Sequence, residues 1–119
     1  MSSPSATGPE IMLISEPRYF HVDGHICGRE ITFLVDSGSA LDCLNIDTYY
    51  TFLGAPKLRP PSHPTVYEVD GTPTPCCGMF HASISITHNG VTSDLEIDLY
   101  VINYGSQEGI FGRPFLLNH

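Results

Sequence analysis

The chain has 119 residues and a mass of 13.0 kDa, a length that suits one compact domain and leaves no room for a second. It carries 5 basic and 13 acidic residues, and its net charge of -8 would repel a phosphate backbone or an anionic membrane surface. We therefore expect neither nucleic acid nor a membrane as a partner, and the sequence contains no long apolar run.

Residues 1–16 are expected to form a flexible N-terminal tail, because residues 1–10 consist largely of Ser, Pro, Thr and Gly. The folded domain is then expected over residues 17–119. Residues 1–10 show neither the basic flank nor the apolar stretch of a secretory signal, so we expect a cytoplasmic location.

The four cysteines are expected to be reduced thiols, because two of them, Cys76 and Cys77, are adjacent and no export signal precedes them. A zinc site could draw on these two residues together with His21 and His25. The Cys-Cys spacing is not that of zinc ligands, and the two histidines lie along an expected strand. The sequence therefore predicts no metal and no cofactor.

In chain order, the first predicted elements are two strands over residues 19–26 and 30–35, joined by a turn at residues 27–29. The second strand is largely apolar and ends at Asp36. A short strand and one or two helical turns are expected next, between residues 41 and 54.

A hairpin is predicted where an Asp-Gly pair separates residues 65–69 from residues 72–76. Pro73 and Pro75 share parity along the second run, so both missing N–H groups fall on one edge. That edge then cannot pair well with a neighbouring strand. We therefore expect this hairpin to protrude from the domain.

The last part of the chain predicts a second hairpin and a short helix. Strands over residues 79–87 and 92–103 alternate apolar with polar side chains across an Asn-Gly turn. A short apolar run at residues 109–112 precedes a helical turn over residues 113–117, where an early proline is tolerated. Together the elements predict a small, mostly β domain that is either a closed barrel or sandwich-like.

Asp36 is the first candidate for chemistry, because an apolar strand delivers its carboxylate into a Ser-Gly turn. A carboxylate at the end of a buried element is a candidate for a functional site. The alternative is an Asp that only hydrogen-bonds its own turn, and residues 36–38 taken alone favour this ordinary turn chemistry. The order of the elements along the chain decides between the two.

In that order the chain resembles the retropepsin-like peptidases of retroviruses and long-terminal-repeat retrotransposons, in particular the Ty3/gypsy kind, from about Arg18 to Leu117. Residues 33–38, Phe-Leu-Val-Asp-Ser-Gly, match the catalytic loop of that family, and residues 65–76 match its flap. Residues 110–113, Ile-Phe-Gly-Arg, match the element that packs beneath the loop. The resemblance implies a closed-barrel acid-protease fold with a flap hairpin and one short C-terminal helix.

The resemblance also implies a homodimer, because the family needs two catalytic aspartates and this chain has one Asp-Ser-Gly triplet. Asp36 would face its symmetry mate, and the two carboxylates would share one proton and activate a water for attack on the scissile carbonyl. Ser37 is expected to hydrogen-bond across the dimer axis, and Gly38 to let the backbone approach the substrate. The implied partners are a second copy and a peptide or polyprotein substrate.

The resemblance assigns the flap tip to four residues, which would close over the substrate and exclude bulk water: Val69, Asp70, Gly71 and Thr72. Gly71 would supply the unusual backbone angles that such a turn needs. The alternative is an exposed hairpin without a function of its own.

Further positions near the catalytic loop support the family pattern or depart from it. Ser39 stands where retroviral enzymes have Ala and pepsins have Ser, and its hydroxyl is expected to donate to the catalytic carboxylate and shift activity toward acid. Gly112 and Arg113 are expected to support the loop and the dimer. In the family this Arg pairs with an acidic residue just beyond the catalytic triplet, where the present chain has Ala40, and Asp42 lies out of phase with that position.

The resulting expectation is a homodimeric aspartic endopeptidase that processes a retroelement polyprotein, in the cytoplasm or within retroelement particles. Two alternatives stay open. One is a catalytically inactive or domesticated domain of the same fold that only dimerises or binds peptides, and the other is a small all-β interaction module without catalytic ancestry. Peptide cleavage blocked by a statine-type transition-state mimic would separate the first from both others.

Overall fold

The structure of this chain is a computed structural model, and it describes residues 20–62, 65–67, 72–103, 105 and 107–118. Seven strands and two short helices occupy these residues. In chain order they are β1 (Phe20–Ile26), β2 (Arg29–Val35), β3 (Cys43–Asn45), α1 (Ile46–Tyr50), β4 (Thr65–Tyr67), β5 (Pro73–His88), β6 (Val91–Ile102), β7 (Gly109–Phe111) and α2 (Arg113–Asn118). Neither helix is long and apolar enough to cross a membrane. The expected tail over residues 1–16 lies outside the described part of the chain.

Six of the strands close into a barrel. The strands hydrogen-bond in the order β1-β2-β7-β3-β6-β5-β4, and β1 also pairs with β5 through Asp23, Gly24 and His25, which returns the sheet to its first strand. Two pairings are parallel, β2 with β7 and β3 with β6, and the others are antiparallel. The predicted mostly β, closed-barrel fold is confirmed.

Two hairpins of the barrel turn through pairs of residues with positive φ. Cys27 (φ 53°) and Gly28 (φ 77°) join β1 to β2, and Asn89 (φ 52°) and Gly90 (φ 76°) join β5 to β6. Positive φ at both central residues is the pattern of a type I′ turn, whose twist matches that of the flanking strands. Both turns confirm the predicted hairpins.

The β4–β5 hairpin extends beyond the barrel. β4 pairs with residues 73–75 at the start of β5, whereas the pairing of β5 with β6 begins only at Cys76. The far edge of residues 73–75 therefore pairs with no strand in the described part of the chain, as expected from two prolines of equal parity. Three of the predicted flap-tip residues lie outside the described residues: Val69, Asp70 and Gly71. The fourth, Thr72, is exposed.

A stack of three aromatic rings ties the C-terminal helix to the strand that leads to Asp36. Phe33 on β2, Phe111 on β7 and Phe115 on α2 lie in series, with ring centroids 4.0 Å apart in each pair. Phe33 and Phe111 are fully buried. Burial of one such side chain stabilises a folded domain by roughly 1.5–3 kcal/mol, so the stack holds α2 firmly against the end of β2.

Candidate active site

Asp36 follows directly after the buried strand β2. Its N–H donates to the carbonyl of Phe111 on the parallel strand β7 at 2.9 Å, and Val35 before it is buried. The chain reaches the surface here, since Ser37 and Gly38 are exposed and Asp36 is only half-buried. An apolar strand thus presents one carboxylate at the surface of the domain.

The Asp36 turn is closed by two hydrogen bonds from the backbone. The Gly38 N–H donates to Asp36 Oδ1 at 2.8 Å, and the Ser39 N–H donates to the Asp36 carbonyl at 3.1 Å. A Cβ at Gly38 would lie 3.2 Å from that carboxylate oxygen, closer than most side-chain carbons come to a neighbour. Gly38 therefore lets the backbone lie against the carboxylate and hold it in one orientation.

Gly112 packs against the far side of this loop. A Cβ there would lie 2.5 Å from both the Ser39 and the Leu41 carbonyl oxygens, so any other residue would have to move the backbone. The next residue, Arg113, donates its N–H to the Ser39 carbonyl at 2.9 Å. The structure therefore brings both predicted support residues into direct contact with the Asp36 loop.

Asp42 anchors the same loop from the inside, a role that the sequence did not indicate. Its buried carboxylate accepts the N–H of Gly112 at 2.7 Å and that of Phe115 at 3.4 Å. These donors stand at the start of α2, where backbone N–H groups have no partner within the helix. An Asp is a preferred helix cap, but this one lies far from the helix in sequence. Its one sequence signal is an acidic residue inside an otherwise apolar run.

The Ser39 hydroxyl donates to the Leu41 carbonyl at 2.7 Å, so the prediction that it donates to the Asp36 carboxylate is wrong. The loop turns this side chain toward the carbonyl two residues ahead, a common competing bond for Ser. Ser39 supports the loop through its backbone instead. It donates to the Asp36 carbonyl and accepts from Arg113.

The Arg113 guanidinium forms no ion pair with any residue that the structure describes. The side chain is exposed. The position expected to hold an acidic partner is Ala40, and Asp42 bonds the backbone of Gly112 rather than the guanidinium. Among the described residues, Arg113 therefore supports the loop through its backbone N–H.

An apolar row runs from the Asp36 loop to the base of the protruding hairpin. Its five members are paired one after another across β2, β7, β3, β6 and β5, and they are Leu34, Ile110, Cys43, Tyr100 and Met79. They point away from the barrel interior and belong to a second hydrophobic cluster, against which Val66 on β4 packs. Leu34 is half-buried and the other four are buried, so the row forms a packed apolar layer between the Asp36 carboxylate and the hairpin.

The cysteine within this row is a packing residue rather than a nucleophile. Burial raises the pKa of the Cys43 thiol to about 12, and the neighbouring Asp42 and Cys76 add to the effect. A thiol with such a pKa stays protonated and unreactive near neutrality. All four cysteines lie in the described part of the chain, and none of them is in a disulfide. No group of His, Cys, Asp and Glu among the described residues is arranged to hold a metal ion.

Beyond Tyr100 the outer face of β5 and β6 becomes charged. His81 Nδ1 lies 2.9 Å from Asp98 and its Nε2 lies 2.9 Å from Glu96, and hydrogen bonds to these carboxylates raise the pKa of His81. A cleft of about 380 Å3 separates these residues from α2. Asp36 does not line this cleft. Its carboxylate lies instead beside the exposed residues Ser37 and Gly38.

No protein-family model matches the chain, and no curated protein does. Several solved structures share its fold. EIAV protease in complex with the inhibitor HBY-793 has a TM-score of 0.57 and 16% identity, over 90% of this chain and 93% of that one. A retropepsin-like aspartic protease from Rickettsia conorii has a TM-score of 0.60 and 16% identity, over 85% of this chain and 79% of that one.

A third match is the retroviral protease-like domain of Ddi1 from Leishmania major, with a TM-score of 0.55 and 21% identity, over 87% of this chain and 76% of that one. Identities this low relate the folds and leave the activity to be argued from the site. The chain therefore has a retropepsin-like fold.

Proposed function

We propose that two copies of this chain form an aspartic endopeptidase, with Asp36 of each copy beside a two-fold axis. The observation that carries the proposal is the Asp36 turn, in which the Gly38 N–H holds a carboxylate at the end of a buried strand and Gly112 braces the loop. The sequence contains a single Asp-Ser-Gly triplet, so a second copy would supply the other carboxylate.

Exposed apolar residues near the Asp36 loop support a contact between two copies. On α2, Leu116 is 41% exposed and Leu117 is 83% exposed, and α2 is hydrogen-bonded to the loop through Arg113. A two-fold contact that joins two Asp36 loops would bring the two α2 helices near it and remove these side chains from water. Ser37, which is exposed, would lie at the axis.

The proposed chemistry is hydrolysis by an activated water. Two facing carboxylates cannot both ionise freely, so the pair holds one proton between them. The ionised carboxylate removes a proton from a bound water as that water attacks the scissile carbonyl, and the pair then protonates the leaving nitrogen. No covalent acyl intermediate forms, and the scheme calls for no cofactor.

The proposed substrate is an extended segment of a polypeptide, bound as an added strand between the Asp36 loop and the protruding hairpin. The apolar row lines this space, so we expect apolar side chains on both sides of the cleaved bond. The polyprotein of a retroelement that encodes the chain is the natural substrate we propose, because one protein with the same fold is the protease of EIAV.

A second candidate is a domain of the same fold that dimerises or binds peptides without cleaving them. The observation that favours it is Arg113, which forms no ion pair with any described residue, whereas the resemblance implies an acidic partner. The two candidates share the dimer and the peptide surface. They differ in whether the pair of Asp36 carboxylates is competent to activate water.

Cleavage of apolar peptides by the purified chain, with and without a statine-type inhibitor, separates these candidates. A functioning pair of carboxylates binds the tetrahedral geometry of the inhibitor far more tightly than the substrate. We expect cleavage that the inhibitor abolishes and that is absent from the Asp36→Asn variant. Peptide binding without cleavage, at concentrations where the chain is dimeric, would instead establish the second candidate.

A further inference from the structure

A short segment before β4 runs along the edge of β5 that faces away from β6, and its side chains also reach β6. Arg59 and Met79 exchange two backbone hydrogen bonds, of 2.8 and 3.0 Å. Ser62 Oγ lies 2.5 Å from the Tyr100 hydroxyl. This segment, residues 58–62, forms a strap that is fixed to the barrel wall at the end of the apolar row.

Both arms of the protruding hairpin leave the barrel beside the strap. β4 follows the strap in sequence, and the other arm, residues 73–75, enters β5 just before an irregularity between Cys76 and Gly78. Within the described residues each arm pairs only with the other. The direction of the hairpin therefore depends on how closely the strap approaches β5.

Gly78 makes that close approach possible. The residue is buried, and its φ of 156° is one that side chains rarely adopt. A Cβ at this position would lie 2.7 Å from Leu58 Cβ and 3.0 Å from the Arg59 carbonyl oxygen. Leu58 itself packs against the interior core, so it has little room to withdraw. Any residue larger than glycine would therefore push the strap and β5 apart.

The close approach of the strap to β5 affects the apolar row, because Val66 on β4 packs against the cluster that contains the row. Cys76, at the irregularity in β5, packs against the same cluster. A displaced hairpin base would lift Val66 from the row and alter the surface on which substrate side chains are proposed to lie. We infer that Gly78 is a positioning residue for substrate binding, acting through the strap and Val66 without touching the substrate. The inference rests on the proposed peptidase function.

The kinetic test compares Gly78→Ala with Gly90→Ala on one extended apolar peptide. Gly90 also has a positive φ, but nothing lies within 4 Å of a Cβ built there, so its variant carries backbone strain without the clash. Gly78→Ala should raise KM by about tenfold or more and change kcat by less than about threefold. Gly90→Ala should change neither constant by more than about twofold.

Amide hydrogen exchange gives a readout that needs no substrate. In Gly78→Ala, exchange should become faster across β4 and residues 73–75, and it should stay slow in the middle of β5 and β6. Gly90→Ala should leave the exchange of the hairpin arms unchanged. If the wild-type chain cleaves no peptide, the proposed function fails by itself, and the exchange comparison still tests the link between Gly78 and the hairpin.

A second variant keeps the test decisive if Gly78→Ala does not fold. Ser62→Ala removes the side-chain tie between the strap and Tyr100 at an exposed position and leaves the packing at Gly78 intact. It should raise KM by about threefold and speed exchange in β4. Equal KM and equal exchange in Gly78→Ala and Gly90→Ala would overturn the inference, and so would wild-type behaviour of Ser62→Ala by both measures.

Discussion

The Asp42 carboxylate accepts the N–H of Gly112 at 2.7 Å, across 70 positions of the sequence. Asp42 is only 2% exposed, so water has little access to this bond. A second bond, from Phe115, joins the same oxygen to the first turn of α2. The Asp36 loop and the C-terminal helix are therefore one structural unit, and the position of the Asp36 carboxylate depends on a second, buried carboxylate.

Removing this anchor should destabilise the domain. Asp42→Ala leaves two N–H groups without their acceptor and should lower the free energy of unfolding by about 2–3 kcal/mol. Asp42→Asn keeps an acceptor oxygen and should cost about 1 kcal/mol. Urea unfolding measures both, with Glu30→Ala as the control because Glu30 is exposed. Equal stability of Asp42→Ala and Glu30→Ala would show that the anchor contributes nothing.

Ser39→Ala should leave the pH profile of kcat/KM unchanged, because the Ser39 hydroxyl bonds the Leu41 carbonyl and not the Asp36 carboxylate. The variant should lose about 1 kcal/mol of stability with that hydrogen bond. The profiles of both forms are compared on one peptide at fixed ionic strength. If both limbs of the pH profile moved to higher pH in the variant, the Ser39 hydroxyl would reach the Asp36 carboxylate in the active dimer.

The charged face of β5 and β6 should make stability depend on pH. Hydrogen bonds to Asp98 and then Glu96 raise the pKa of His81 above its ordinary value of 6.5. The pKa of Glu96 is lowered below its ordinary 4.5, first by Ser83 and then by His81. Arg59, which pairs with Asp98, carries its charge at every pH of interest. These groups are exposed, so their effect on stability is small.

The sign of the effect differs for the two groups. The stabilisation from protonated His81 is fully present below its ordinary pKa of 6.5 and is lost as the pH rises through its raised pKa. That from ionised Glu96 is present above 4.5 and is lost as the pH falls through its lowered pKa. The advantage of wild type over His81→Gln in urea should therefore be largest between these values and shrink on either side. A stability difference between wild type and His81→Gln that does not vary with pH would contradict these roles of His81 and Glu96.

A change near the Asp36 end of the apolar row should alter substrate specificity. Ile110 is buried beside Leu34 in the row, and Ile110→Ala would open space there for a larger substrate side chain. The ratio of kcat/KM for a Phe peptide to that for a Val peptide should rise by about tenfold. The two peptides compete in one assay, with Thr92→Ala at the far end of β6 as the control. An unchanged ratio would show that the apolar row does not contact the substrate side chains.

Local chemistry made several elements predictable from the sequence. The turns at Gly28 and at Asn89-Gly90 are decided by residues that tolerate positive φ, and both appear where the pattern predicts them. The protrusion of the β4–β5 hairpin follows from the parity of Pro73 and Pro75, which is also a local property. These features depend on few neighbours, so a single sequence is enough to find them.

The parts that the sequence did not reveal depend on contacts between distant segments. Gly78 is required by its contacts with Leu58 and Arg59, and the role of Asp42 depends on its hydrogen bond from Gly112. Neither set of contacts produces a periodic pattern in the sequence. The sequence predicts the wrong acceptor for the Ser39 hydroxyl, because residue type and position do not fix the direction of a side chain.

We propose that catalysis needs Asp36 from two copies of the chain. Asp36→Asn keeps the shape of the side chain but cannot ionise, so the variant should fold, dimerise and lose cleavage by several orders of magnitude. Neutral amides also avoid the repulsion of two carboxylates, so the variant should dimerise at least as well as wild type.

The most direct measurement adds Asp36→Asn protein to a fixed concentration of wild-type protein, under conditions in which both are dimeric, and follows the rate of peptide cleavage. Mixed dimers carry one Asp36 carboxylate, so the rate should fall to about half when the two proteins are equal in amount, and should keep falling as more variant is added. A rate that stays constant as the variant is added would show that each chain acts alone and would contradict the account.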